Sequence, residues 1–201
     1  GVMTTNFNES GAFYYTNPEE PSPDIQLHFA FSMVDQHGLK KHGRGGFTCH
    51  ICVLRPKSVG SVKLADANPN SPPLIDPAFL KDERDLDTML AGVKQAQQIM
   101  QAPSFDAHRG KALYAGASND DEELKEDIRN RADTIYHPVG TCKMGPDSDP
   151  NAVVDQRLRV RGIKSLRVID ASIMPKIVSG NTNAPSIMIG EKGAHMILED
   201  A

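Results

Sequence analysis

The stretch Ile135-Tyr-His-Pro-Val-Gly-Thr-Cys-Lys-Met-Gly145 sets a single histidine on a glycine-bounded loop, directly before a proline. The ring of Pro138 crowds the preceding backbone, so His137 is held out of the helical region. Gly140 and Gly145 let the main chain approach another group closely. Imidazole is the side chain best suited to take a proton near neutral pH, so His137 is a candidate general base. Downstream, Val168-Ile-Asp-Ala-Ser-Ile-Met-Pro175 reads as a strand ending in a polar turn at Asp170 and Ala171. Ser179-Gly-Asn-Thr-Asn-Ala-Pro-Ser186 reads as a loop entering a helix, with Asn183 as its cap. A base, a strand-end aspartate and an asparagine-capped helix, in that order, have the composition of one assembled site.

The elements that must carry this site are legible in outline. Ile25 to Phe31 alternates apolar and polar residues, residues 46–54 read as a second strand, and Ser61 to Ala65 as a short third. Residues 1–23 read as loop with at most one strand, at Ala12 to Tyr15. Short strands linked in this way predict an antiparallel sheet. Four prolines between Asp66 and Pro77 predict a loop there. From Asp82 on, Leu86, Met89, Leu90, Val93, Ala96, Ile99 and Met100 fall at helical steps, and Pro103 closes the helix. A second helix runs from Ser118 to Ile128, its acidic first turn suited to the positive end of a helix. Val153 to Asp155, Leu158 to Arg161 and Ser165 to Asp170 are strand expectations. A terminal helix covers Ala184–Glu199, with Pro185 tolerated in its first turn because that N–H has no helical partner.

Bulk composition narrows the class. At 39% hydrophobic and 24% charged residues over 201 positions, the chain is an ordinary globular sequence with room for a core. A net charge of −4 gives no electrostatic reason to expect nucleic acid or an anionic membrane as partner. No apolar run approaches the roughly 20 residues of a spanning helix, and no signal-peptide pattern opens the chain. The expected location is cytoplasmic or membrane-peripheral. Beginning in mid-pattern without a methionine, the chain reads as an excised piece. Three cysteines argue against a disulfide framework. Cys49-His-Ile-Cys52 matches a redox or zinc pair only superficially, because positions three apart on a strand face opposite sides. The loop from Gln36 to Gly46, with Lys40, Lys41, His42 and Arg44, reads as solvated rather than as an anion site.

The three site segments resemble the C-terminal signature of the glucose–methanol–choline (GMC) family of FAD-dependent oxidoreductases, in its choline and alcohol dehydrogenase branch. Arg55-Pro-Lys-Ser-Val-Gly-Ser-Val-Lys-Leu64 and Pro73-Leu-Ile-Asp-Pro-Ala-Phe-Leu80 are similar to that family's approach to the same region. The resemblance implies alcohol oxidation, with the O–H proton passing to a base and the carbinol hydrogen going to the flavin as hydride. It implies His137 as that base and Asn183 as its catalytic partner. It also implies that Asp170 and Ala171 contact the cofactor, with Thr182, Ala184 and Pro185 as further cofactor-binding positions. A helix start there would favour the negative charge of a reduced flavin.

No Gly-x-Gly-x-x-Gly fingerprint follows a strand; Gly43-Arg-Gly-Gly46 lacks the spacing. The resemblance therefore implies that FAD is held mainly by a missing N-terminal domain of the same protein. The resulting expectation is an α+β fold, an antiparallel sheet packed with helices, with a C-terminal strand and helix returning to the FAD domain. Residues 1–54 form substrate-domain strands and loops, and residues 55–201 the domain carrying the catalytic pair. The substrate class is a primary alcohol, whether choline-like, aliphatic or aromatic. Absence of tryptophan weighs against a cationic substrate. The alternatives are a family lyase that does no net redox chemistry and a fragment with a binding or structural role alone.

Overall fold

The computed structural model describes residues 4–43 and 45–200; Arg44 of the basic loop lies outside them, as do the first three residues and the last. The fold combines antiparallel sheet and helices, as the sequence predicts. Packing separates the chain into two units, one formed by residues 1–58 and 79–133 and the other by residues 59–78 and 134–201. This grouping cuts across the expected division at 54/55, because the chain leaves the first unit, returns to it, and leaves again.

In the first unit, β1 (Asn8–Tyr14), β2 (Ile25–Ala30) and β3 (Thr48–Val53) form an antiparallel sheet in the order β1-β2-β3. Strand alternation sorts the faces. Ile25 and Leu27 are buried on one side with Ile51 and Val53, packed against Ala96 of α1 (Glu83–Met100). Gln26, His28, His50 and Cys52 take the other face through the pairs Gln26–Cys52 and His28–His50. Cys49 and Cys52 thus lie on opposite faces, and burial pushes both thiols up to about 11. Asp82 caps α1 by accepting the Arg84 N–H. Buried Asp85 in the first turn accepts the Lys57 and Ser58 N–H groups at 2.7 and 2.9 Å, fixing the chain where it leaves this unit. The second helix, α2 (Asp121–Arg131), starts three residues later than expected. Asp120 is its cap, accepting from Glu122 and Glu123, while Ser118 receives the Asp120 N–H. An aspartate competes well for the cap position, and the expected Ser118 lies two residues outside it.

The basic loop after β2 is more tied than a solvated loop. The buried Asp35 carboxylate meets His42 Nε2 at 2.9 Å and Arg131 at 3.5 Å, and accepts the Tyr114 O–H. Arg131 also stacks on the Tyr114 ring, 3.7 Å from its centroid.

In the second unit, β4 (Ser61–Lys63) and β5 (Leu74–Asp76) form a two-stranded antiparallel ribbon. The prolines of residues 66–77 predict loop throughout; β5 lies between Pro73 and Pro77, where three residues suffice to pair with β4. The expected strands between residues 153 and 170 reduce to isolated bridges, Met144–Val154, Val154–Val160 and Arg159–Arg167. Each is one rung, so these segments fold as irregular chain around an apolar cluster of Val154, Leu158, Ile173, Met174 and Ile189. The last of these residues belongs to α3 (Asn183–Glu199). No helix among the described residues is long and apolar enough to cross a membrane.

Candidate active site

All of the site lies in the second unit. Residues 140–144 are laced to the short helical turn Ala171–Ile173 by the Cys142 N–H to Ser172 carbonyl bond at 3.0 Å and the Met144 N–H to Ile173 carbonyl bond at 2.8 Å. Gly140 makes this possible with φ of 89°, a conformation costly for any residue bearing a Cβ. The turn in turn meets α3, which packs closely because Gly193 has no side chain: a Cβ there would lie 2.4 Å from Ile169 Cγ2. Motif loop, turn and helix are thereby one packed body, and the loop before α3 comes to the histidine.

His137, half-buried, is held at both ring nitrogens. Its Nδ1 lies 2.9 Å from Thr182 Oγ1, and its Nε2 lies 2.9 Å from the Asn181 amide nitrogen. An amide N–H₂ can only donate, so Nε2 is the accepting nitrogen and Nδ1 carries the proton, which it gives to the Thr182 hydroxyl. The Thr182 main-chain nitrogen approaches the same Nδ1 at 3.5 Å, too long to outweigh the hydroxyl contact. The imidazole is therefore in the tautomer that can take a proton at Nε2, on the side where Asn181 sits exposed.

The expected partner of His137 is Asn183, and here the structure differs. Asn183 is the first residue of α3 and exposed, Thr182 occupies the cap position, and the carboxamide that reaches His137 is Asn181. Successive helical residues turn by about 100°, so once residue 183 enters the helix its side chain follows the helix surface, whereas residue 181 remains in the loop. The loop carries two asparagines two positions apart, and in this structure it is the first of them that contacts the imidazole. Thr182, expected against a cofactor, has its side chain on the histidine. Asp170 accepts the Ser172 N–H at 2.7 Å and so acts as the cap of the 171–173 turn that Ala171 begins. Ala184 is exposed and Pro185 half-exposed in the first turn of α3.

No side chain caps α3. The first N–H groups of an uncapped helix are open to an electron-rich group, and the end carries partial positive charge. At the opposite end of the helix, Asp200 accepts from Arg157 at 2.9 Å and also pairs with Arg159 and Arg167. Arg159 first, and then Arg157, hold its carboxyl below the usual aspartate range, although burial opposes them. An open groove of about 690 Å³ is lined by Arg159, Arg161, Lys164, Arg167 and Asp200, and His137 is not part of it. Among the described residues no group of three or more His, Cys, Asp or Glu side chains is arranged to hold a metal ion.

The GMC oxidoreductase C-terminal profile matches residues 56–190. The chain is 49% identical over 199 residues to alcohol dehydrogenase [acceptor] of Pseudomonas putida, covering 98% of the chain and 36% of that protein. It is 45% identical over 198 residues to the mitochondrial choline dehydrogenase of Homo sapiens, covering 98% of the chain and 33% of the relative. Pyridoxine 4-oxidase from Mesorbium loti superposes with a TM-score of 0.87 at 28% identity, over 96% of this chain and 38% of that one. The chain belongs to the GMC oxidoreductase family. It spans about a third of the length of the curated relatives it matches.

Proposed function

We propose that the chain is the base-bearing C-terminal part of a flavin-dependent oxidoreductase that converts a primary alcohol to an aldehyde. The observation that carries this reading is the imidazole of His137, fixed in one tautomer by Thr182 and Asn181 beside an uncapped helix end. Proton uptake at Nε2 turns a substrate hydroxyl into an alkoxide-like donor. As the ring becomes imidazolium, the Thr182 hydroxyl keeps accepting from Nδ1, while the Asn181 N–H₂ gives up its bond to Nε2 and turns to the substrate oxygen. Asn181 can donate to the substrate oxygen without titrating, and therefore positions the alcohol at every pH where His137 is neutral.

The cofactor that fits is FAD. The uncapped first turn of α3, with the N–H groups of Asn183 and Ala184, suits the electron-rich edge of a flavin ring; Asp170 and Ala171 suit the chain that joins the ring to the nucleotide. When bound, the flavin supplies the two-electron acceptor for the carbinol hydrogen. The glycine fingerprint for the pyrophosphate is not in this sequence, and the relatives' additional length is where that function belongs. The substrate reading stays at primary alcohols, aliphatic, aromatic or choline-like, because the named relatives span an alcohol and a choline dehydrogenase.

The test is a full-length protein in which this chain replaces the matched segment of the Pseudomonas putida relative. Anaerobic mixing with a primary alcohol should bleach the flavin, and His137→Ala should slow bleaching by about 10²–10⁴-fold, the usual contribution of a general base. Bleaching at an unchanged rate in that variant would end the proposal.

A further inference from the structure

The β4–β5 ribbon is built unlike a surface hairpin. Val62 stands directly opposite Ile75, and Leu64 follows two residues on, so these three side chains share one face. They are 50%, 65% and 85% exposed. The reverse face carries Ser61, Lys63 and Asp76 with a single apolar residue, Leu74. None of these apolar side chains belongs to the core clusters among the described residues. Two strands of three residues make no stable sheet in water by themselves. A polar face opposite a uniformly apolar one is the pattern of a layer covered on one side only.

We infer that the Val62–Leu64–Ile75 face is a docking surface for the remainder of the full-length oxidoreductase polypeptide, and that this cover is what protects the ribbon's hydrogen bonds from water. The length of the relatives favours this occupant. Nearly all of this chain aligns with about a third of each, so roughly two thirds of such a protein is polypeptide outside the matched segment. A surface tethered to its partner within one chain meets it at high effective concentration, which a second copy must outcompete. The open edges of the two-stranded ribbon allow the same partner to add a strand as well as an apolar layer. This inference rests on family membership and not on the catalytic role of His137.

Hydrogen exchange on the 201-residue chain and on the full-length chimera with the Pseudomonas putida relative tests it. The amides of residues 61–63 and 74–76 should exchange at least tenfold more slowly in the chimera. In a second arm, Val62→Lys with Ile75→Glu keeps an attractive cross-strand pair, so the ribbon itself can persist. That double variant should leave the melting temperature of the 201-residue chain unchanged and lower that of the chimera by about 5 °C or more, two lost apolar contacts being enough for such a shift. Equal exchange in both proteins, or a double variant harmless to the chimera, overturns the inference. So does protection that appears in the 201-residue chain as its concentration rises, which would assign the face to a second copy. His137→Ala in the chimera should keep the ribbon protected while bleaching fails, so loss of docking and loss of chemistry are read separately.

Discussion

Asn181 and His137 are 44 residues apart in sequence, yet their side chains meet at 2.9 Å, and Asn183 makes no hydrogen bond with the histidine. The pairing depends on where the helix starts: one residue more of loop or helix would present a different group to the imidazole.

Substitution separates the two asparagines. In the full-length chimera, Asn181→Ala should slow flavin bleaching by about 10²-fold or more, the scale on which a single positioned donor acts. Asn183→Ala should stay within about twofold of the parent. Stopped-flow absorbance at saturating alcohol reads both, and the reverse order would restore Asn183 as the partner.

Thr182 acts through the histidine, so its signature is in the pH profile. Thr182→Val removes the hydroxyl that accepts from Nδ1 and leaves the tautomer unbiased. The expected result is a loss of about 10-fold or more in kcat, typical of a lost orienting partner, together with a displaced acid limb. Thr182→Ser should recover most of both. A loss that serine fails to repair would mean that packing, and not the hydroxyl, is what residue 182 supplies.

Close packing behind the site predicts a stability effect without a chemical one. Gly193→Ala places a methyl group 2.4 Å from Ile169 Cγ2, and overpacking of this kind costs about 1–3 kcal/mol. Thermal unfolding should fall by several degrees. Gly190→Ala, where an added Cβ meets nothing within 4 Å on the same helix, is the control and should hold or raise stability.

Acid sensitivity of the first unit should trace to Asp35. The Tyr114 O–H, followed by His42 and the charges of Arg131 and Lys40, holds the Asp35 carboxyl below its ordinary value of 3.8, although burial opposes them. A depressed carboxyl contributes stability that is complete above the ordinary value and is lost as pH falls through the depressed one. Stability should therefore decline below about pH 4. Tyr114→Phe removes the largest cause, so that variant should be less stable at neutral pH and show a smaller further loss on acidification. Urea midpoints measured between pH 7 and pH 2.5 compare the two.

Much of this architecture was legible residue by residue. The stripe from Leu86 to Met100 and the alternation from Ile25 onward are periodic signals produced by burial on one face, and α1, β2 and β3 follow them closely. The segments after residue 150 are equally apolar, but they cluster without a ladder; alternation records which residues are buried and is silent on whether a partner strand lies alongside. His137 stood out through its proline and glycines. The asparagine that contacts it in this structure did not, because Asn181 and Asn183 have the same chemistry and differ only in which side of the helix start they occupy. Asp35 gave no local sign at all: its partners His42, Tyr114 and Arg131 come together only in the folded chain.

The salt-bridge knot at Asp200 has a reach that its position conceals. Seventeen residues of α3 make a rod roughly 25 Å long, clamped at its far tip by arginines and ending at the base in the residues that grip the imidazole. Loosening the clamp lets the rod slide or swivel, and a misplacement of about 1 Å at the near tip is enough to slow a reaction about 10²-fold. Variants selected for altered turnover should accordingly turn up at residues 157, 159, 167 and 200, which no map of substrate contacts would include.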